Sequence, residues 1–274
     1  MNNLLKADLR RVLKDRLLIV LGIIAVGFAL VTPLLYVVLF NGVGMADDPM
    51  ISGLISGKAQ FFSSFSMGNN LGLIAPVLIA IILCKDFSYG TVRNKIISGK
   101  SRTAIFMSLF SVCSVVLIAV MLLHAFITLG FCLIFFDYQA TAFTLSDFWY
   151  FIISLGLELL VLLFIAALLS WLCAAMKNVG LVIVLYVAIS FVLVMIGSII
   201  QVILTVLEAS GGNQTAIDIL NFVNRINVGN SAQYIGMGTE YSVKDLLYLT
   251  IPPIVGIFSF LGLGILKFNK KDLK

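Results

Sequence analysis

The sequence predicts an all-α integral membrane protein with six transmembrane helices, and three observations predict it. Hydrophobic residues make up 61% of the 274 residues and charged residues only 11%, which is less than half the charged share of a soluble domain. The apolar residues fall into six runs, each long enough to cross a bilayer as a helix of about 20 residues. Charged residues lie between these runs, and most lysines and arginines lie in alternate connections.

The same composition excludes several other classes of protein. A soluble enzyme of this length would need a more charged surface, and the strands of an outer-membrane barrel alternate in polarity rather than running continuously apolar. The net charge of +5 does not indicate nucleic-acid binding, because the basic residues flank the apolar runs. The cysteines show no CxxC spacing, so neither a zinc site nor a disulfide framework is predicted. They are Cys84, Cys113, Cys132 and Cys173.

The apolar runs set the predicted order of elements along the chain. The spans are 17–40, 61–84, 104–136, 148–175, 179–207 and 247–266. The first half of the second span is polar, with Ser63, Ser64, Ser66, Asn69 and Asn70. Residues 208–246 form a polar outer loop, in which apolar side chains three residues apart predict short helices with one apolar face. No internal repeat and no separate soluble domain is visible, so 1–274 is predicted to be one membrane domain.

The basic residues predict which side of the membrane the termini occupy. Of the 18 lysines and arginines, 15 lie in the N-terminal segment, the 85–103 segment, the 176–178 connection and the C-terminal tail. Connections that are rich in lysine and arginine stay in the cytoplasm. We therefore predict that both termini and the 85–103 segment are cytoplasmic.

Residues 1–16 are predicted to form an amphipathic helix that lies in the membrane interface. Apolar side chains share one helical face, namely Leu5, Leu9, Val12, Leu13 and Leu17. Lys6, Arg10 and Lys14 line another face. A helix with this pattern lies in the plane of the membrane surface and contacts lipid headgroups.

The 85–103 segment contains a string that resembles a phosphate-binding loop, from Asn94 to Ser101, with asparagine in place of the first glycine. A phosphate-binding loop needs a preceding strand and a following helix in a soluble unit, so that backbone N–H groups surround the phosphates. Here a membrane span precedes the string and another follows it. We therefore predict no nucleotide site and no cofactor on this chain.

A second pattern in the segment is more specific. Asp86-Phe87-x-x-Gly90-Thr91 is followed by the basic residues Arg93 and Lys95, and then by a Ser101-Arg102 pair. This order resembles the cytoplasmic link in permeases of the type-2 ATP-binding-cassette (ABC) exporter family, in which the acid is usually glutamate. The interfacial helix, the six spans and the large loop before the last span are similar to that family as well.

The resemblance implies a bacterial plasma-membrane transport subunit without catalytic residues of its own. Separate ATPase subunits would hydrolyse ATP, and a second permease half, identical or homologous, would complete the pathway for a peptide, a drug or another amphipathic substrate. Such permeases act in antibiotic-peptide immunity and drug efflux. The residues implied to couple to the ATPase are Asp86, Phe87, Gly90, Thr91, Arg93, Lys95, Ser101 and Arg102. The alternative for this segment is a basic loop that only fixes topology.

Two ionisable residues lie within apolar runs, His124 in the third and Glu158 in the fourth. Such groups are costly in lipid and face protein or water. They are either a proton relay or polar spot on the substrate path, or structural groups that pair or face other helices. Three rival functions remain open: an intramembrane enzyme that uses His124 and Glu158, a secondary transporter or channel, and a membrane-anchored accessory protein. The absence of an internal repeat argues against the secondary transporter.

Overall fold

A computed structural model describes residues 2–41, 53, 55–88, 90–139, 141–176, 178–236 and 240–270, and the regular elements in these ranges are all helical. The described residues form ten α-helices: α1 (Asn2–Leu13), α2 (Arg16–Tyr36), α3 (Gly57–Ser63), α4 (Asn70–Ser88), α5 (Thr91–Ile97), α6 (Arg102–Phe135), α7 (Leu145–Ala175), α8 (Val179–Ala209), α9 (Gln214–Ile226) and α10 (Val243–Lys270). A π-helical turn, Val37–Asn41, continues α2, and a short 3₁₀ helix, Ser231–Gln233, follows α9. Lys177 and 271–274, which the orientation prediction uses, lie outside the described residues.

Six of these helices are long and apolar enough to cross a membrane: α2 with its π-helical turn, α4, α6, α7, α8 and α10. This confirms the prediction of a multi-pass helical membrane protein with six spans. Five of the spans begin and end within about four residues of the predicted bounds, which is ordinary for helix ends.

The second span differs from the prediction of one helix over 61–84. The chain there forms the short helix α3, turns over 64–69, and begins α4 only at Asn70. Polar side chains form hydrogen bonds to backbone groups in this turn. The Asn69 side chain accepts a hydrogen bond from the Asn70 amide and donates one to the Ser63 carbonyl. A Cβ on Gly72 would lie 2.0 Å from the Ser66 carbonyl oxygen, so only glycine permits this close return.

The bundle has three central and three peripheral spans. In α4, α6 and α7 the most apolar windows are 56–61% buried, whereas in α2, α8 and α10 they are 17–22% buried. Buried side chains of the three central helices form one continuous core. The peripheral helices therefore present most of their apolar surface to lipid or to another protein.

One end of the bundle carries both described ends of the chain, and we call it the basic end. Here Leu4 of α1 and Phe268 of α10 belong to one buried apolar cluster. Arg102 at the start of α6 donates hydrogen bonds to the carbonyls of Phe268 and Asn269 at 3.2 and 2.9 Å. The helices α1 and α5 and the last turn of α10 are thereby joined at the basic end.

After α9, residues 227–236 fold back against the middle of α8. The Asn227 side chain donates to the Leu193 carbonyl at 2.8 Å, and Gly229 packs directly on Leu193. A Cβ on Gly197 would lie 2.6 Å from Asn230, so the glycine leaves room for that side chain. The expected helix with one apolar face is α9, whose Ile217 packs on α8.

Candidate functional site

The candidate site is the 85–103 segment, which forms a short helix between two spans. Gly90 precedes α5 and adopts a φ of +68°, and Gly99 follows the helix with a φ of +80°. Left-handed backbone of this kind is costly for residues with a Cβ. The Ser101 side chain then caps α6 by accepting a hydrogen bond from the amide of Ala104. Glycine at both ends thus allows two sharp turns, and α5 lies across the basic end as a separate element.

Asp86 is the centre of an ion-pair network beneath α5. Its side chain is only 3% exposed and forms an ion pair with Arg11 of α1, whose Nη2 donates to Oδ2 at 2.6 Å. Lys95 of α5 approaches the same carboxylate at 3.2 Å and Asp8 of α1 at 2.7 Å. Ser108 of α6 donates to the other oxygen of Asp8 at 2.7 Å. Four elements therefore meet at two buried carboxylates.

A second ion pair adjoins this network. Lys85 Nζ lies 2.6 Å from Asp15, which also caps α2 by accepting the Leu17 amide. Burial acts to raise the pKa of Asp15, but the hydrogen bonds from Lys85 and Leu17 outweigh it and hold that pKa below its ordinary value. Burial lowers the pKa of Lys95, and its contact with Asp8 opposes the shift. Buried charges of opposite sign compensate one another's loss of hydration.

The structure divides the eight coupling residues predicted from the sequence into inward and outward groups. Asp86 and Lys95 belong to the network, Phe87 packs edge to face on Phe268, and Arg102 binds the carbonyls at the end of α10. The outward group consists of Arg93 and Ser101, with Gly90 and Thr91 partly exposed.

The outward face of α5 also has an apolar component that sequence reasoning did not select. Ile97 is 73% exposed, and it lies one helical turn from Arg93. On the opposite side of α5, Val92 is buried in the apolar cluster with Leu4 and Phe268. The helix is thus fixed by one side and presents a basic and apolar surface on the other.

Sequence reasoning also missed the partners of the segment on α1 and α6. Asp8, Arg11 and Asp15 contact the segment from the N-terminal region, and Ser108 does so indirectly through Asp8. The available signal was the presence of two acids in an otherwise basic amphipathic helix. A cleft of about 260 Å³ opens beside these contacts and is lined by Arg11, Val12, Asp15, Ile82, Lys85 and Thr91.

The two intramembrane groups lie in the buried parts of α6 and α7, but the structure does not pair them. His124 is 3% exposed and Glu158 is fully buried. His124 Nδ1 and both carboxylate oxygens of Glu158 have no hydrogen-bond partner, and no ion pair joins the two residues. Thr128, one turn from His124 on α6, is also buried without a hydrogen-bond partner for its hydroxyl. Among the described residues, no cluster of three or more metal-ligating side chains is present.

A comparison with protein families covers nearly the whole chain. The model of a family described as Protein of unknown function (DUF2705) matches residues 23–274. The match includes the 85–103 segment, most of the first span and the other five spans, while α1 with Asp8 and Arg11 precedes it. No curated protein matches the chain. Because the match extends over far more than half of its length, the chain belongs to the DUF2705 family.

Proposed function

We propose that this chain is the transmembrane permease subunit of an ATP-driven exporter of the ABC class, with its basic end in the cytoplasm. A separate ATPase subunit binds the outward face of α5, and a second permease half completes the pathway. The substrate is a peptide, a drug or another amphipathic molecule. Support comes from the motif around Asp86, from the excess of basic residues at one end and from the way α5 is held. In this proposal α1 lies in the membrane interface.

The observation that carries the proposal is the set of ion pairs and apolar contacts that joins α5 to its neighbouring helices. A short helix between two spans transmits a displacement only if it is fixed to them, because a flexible loop would absorb the motion. Lys95 fixes the helix to α4 through Asp86 and to α1 through Asp8, and Arg11 of α1 also pairs with Asp86. Its exposed face, with Arg93 and Ile97, is left for a partner.

The same contacts define where a push on α5 would act. Ser108 links the network to α6 through Asp8, and Arg102 links the start of α6 to the end of α10. The cytoplasmic ends of α4, α6 and α10 would therefore move together when an ATPase shifts α5. Such joint movement of spans is what a change between inward-facing and outward-facing states requires.

The experiment is co-expression of the chain with a candidate ABC ATPase subunit from the same genome, followed by purification of the complex. The variant R93E/I97D changes only the exposed face of α5, and K244E, at the opposite end of the bundle, is the matched control. We expect R93E/I97D to lower co-purification of the ATPase at least tenfold, since loss of a charged interface contact costs about 2 kcal/mol. Unchanged co-purification and ATP hydrolysis would return the segment to a topology-setting loop.

An intramembrane enzyme has less support than the exporter. Catalysis by a histidine and a carboxylate requires the two groups within hydrogen-bond reach of each other or of a shared substrate. His124 and Glu158 are not joined by any hydrogen bond or ion pair.

A further inference from the structure

The side of α1 that faces away from the bundle carries basic residues without acidic neighbours. Lys6, Arg10 and Lys14 are all exposed and follow one another at intervals of four residues. Four residues of α-helix correspond to about 6 Å, so Lys6 and Arg10 are neighbours on one side of α1, and Lys14 follows in the turn just after the helix ends at Leu13. None of them forms an ion pair within the described part of the chain. We call Lys6, Arg10 and Lys14 the basic stripe.

The acids of the same region are directed to the opposite side. Asp8 is buried against Lys95 and Ser108, and Asp15 binds Lys85. The internal network therefore neutralises the acids of the N-terminal region and leaves its outer side purely cationic. This arrangement differs from an ordinary solvated helix, on which acids and bases alternate and satisfy one another.

The surroundings of the basic stripe fix its position relative to lipid. Beside it, Leu5 and Leu9 are partly buried and Leu13 is 57% exposed, which gives α1 an apolar edge. The corner at Asp15 then leads directly into the first span, where Ile19 and Ile23 are 61% and 67% exposed. These side chains mark the lipid-facing surface of α2. The basic stripe thus lies where lipid headgroups begin.

We propose that the basic stripe binds the phosphate groups of anionic phospholipids in the adjacent leaflet. The lipid chains contact Leu13 and the exposed isoleucines of α2, and the headgroup phosphates contact Lys6, Arg10 and Lys14. Basic residues beside an anionic membrane surface each strengthen binding about fivefold. The bound lipid holds α1 against the membrane and so stabilises the surface on which α5 rests. This inference is independent of whether an ATPase binds the chain.

The test is native mass spectrometry of the purified full-length chain, titrated with phosphatidylglycerol or with phosphatidylcholine. The variant K6Q/R10Q/K14Q removes the stripe, and K100Q/K267Q/K270Q removes three exposed charges from the same end of the bundle. We expect the wild type to bind the first phosphatidylglycerol at least tenfold more tightly than phosphatidylcholine. The stripe variant should lose that preference, with a drop on the order of 10- to 100-fold, and the control variant should keep it.

Three further results bear on the proposal. The charge-conserving variant K6R/R10K/K14R should bind phosphatidylglycerol like the wild type, which separates charge from a folding defect. Equal losses in the stripe variant and in K100Q/K267Q/K270Q would reduce the effect to net charge and overturn the proposal. An unchanged lipid preference in the stripe variant, with loss of the co-purified ATPase, would make the stripe a protein-docking surface instead.

Discussion

The role of a single charge in the 85–103 segment depends on which side of α5 it occupies. Arg93 and Lys95 are only two residues apart and both basic, yet Arg93 is exposed and the Lys95 side chain is 13% exposed between two carboxylates. From the sequence, both were candidates for a partner's surface. The structure leaves Arg93 exposed and places Lys95 in the ion-pair network with Asp86 and Asp8.

This difference gives a prediction for Asp86. Replacement by alanine leaves Arg11 and Lys95 without their shared acceptor, and we expect it to lower the free energy of unfolding by about 2 kcal/mol or more. The change R93E should leave stability within about 0.5 kcal/mol. Thermal unfolding of the detergent-purified variants measures both. Equal effects of the two substitutions would contradict the assignment of Asp86 as the buried centre.

The intramembrane groups permit a second prediction at this scale. Because His124 and Glu158 are not bonded to each other, replacements at the two sites should act independently. We expect the double variant H124L/E158L to differ from the sum of the single variants by less than about 0.5 kcal/mol in unfolding free energy. A double-mutant cycle on thermal stability measures this quantity. A coupling well above that value would show that the two residues do meet.

At the scale of elements, contact between α4 and α7 can be tested with residues that the chain already has. Cys84 Sγ and Cys173 Sγ lie 3.1 Å apart, and a disulfide needs about 2.05 Å, so a small approach suffices. After catalysed air oxidation of membranes, the protein is denatured and alkylated without a reducing agent. We expect two of the four cysteines, Cys84 and Cys173, to resist alkylation because they have formed a disulfide. Cys113 and Cys132 should stay alkylatable, and C173S should restore modification of Cys84. Four reactive thiols in the oxidised wild type would contradict this packing.

The turn before α5 gives another prediction about elements. Gly90 has a φ of +68°, and a Cβ there would meet no atom within 4 Å, so any penalty for G90A is conformational. We expect it to lower stability by about 1 kcal/mol. The matched variant is G130A, inside α6 and also without a close neighbour, which should be neutral or stabilising by about 0.5 kcal/mol. Thermal unfolding of the two proteins distinguishes these outcomes, and equal midpoints would argue against the left-handed turn.

For the whole molecule, the orientation of the bundle can be measured directly. Single cysteines at Ser101, Asn269 and Gln214 would be introduced into a variant without native cysteines. If the basic end is cytoplasmic, an impermeant maleimide should label only position 214 on intact cells and all three after permeabilisation. Labelling of positions 101 and 269 after permeabilisation is the control, because it shows that these introduced cysteines can react. Labelling of Ser101 from outside would reverse the proposed orientation.

The sequence was sufficient for the spans but not for the contacts between them. Runs of apolar residues predict the number of spans and the approximate bounds of five of them, because crossing a bilayer depends mainly on length and hydrophobicity. The break before α4 was visible only as a polar half-span, since its cause is a close approach of Gly72 to Ser66. The contacts of Asp86 with Arg11 and of Asp8 with Ser108 could not be predicted, because the partners are separated by 75 and 100 positions along the chain.

The fold of 227–236 against α8 has a consequence for biosynthesis. The Asn227 amide binds the carbonyl of Leu193, and Asn230 occupies the space above Gly197. These polar side chains can enter the bundle only after α8 is helical and in place, since otherwise they would be stranded in lipid. The translating ribosome delivers the segment after α8 and before α10. The segment between the last two spans therefore docks on α8 only after that helix has formed in the membrane.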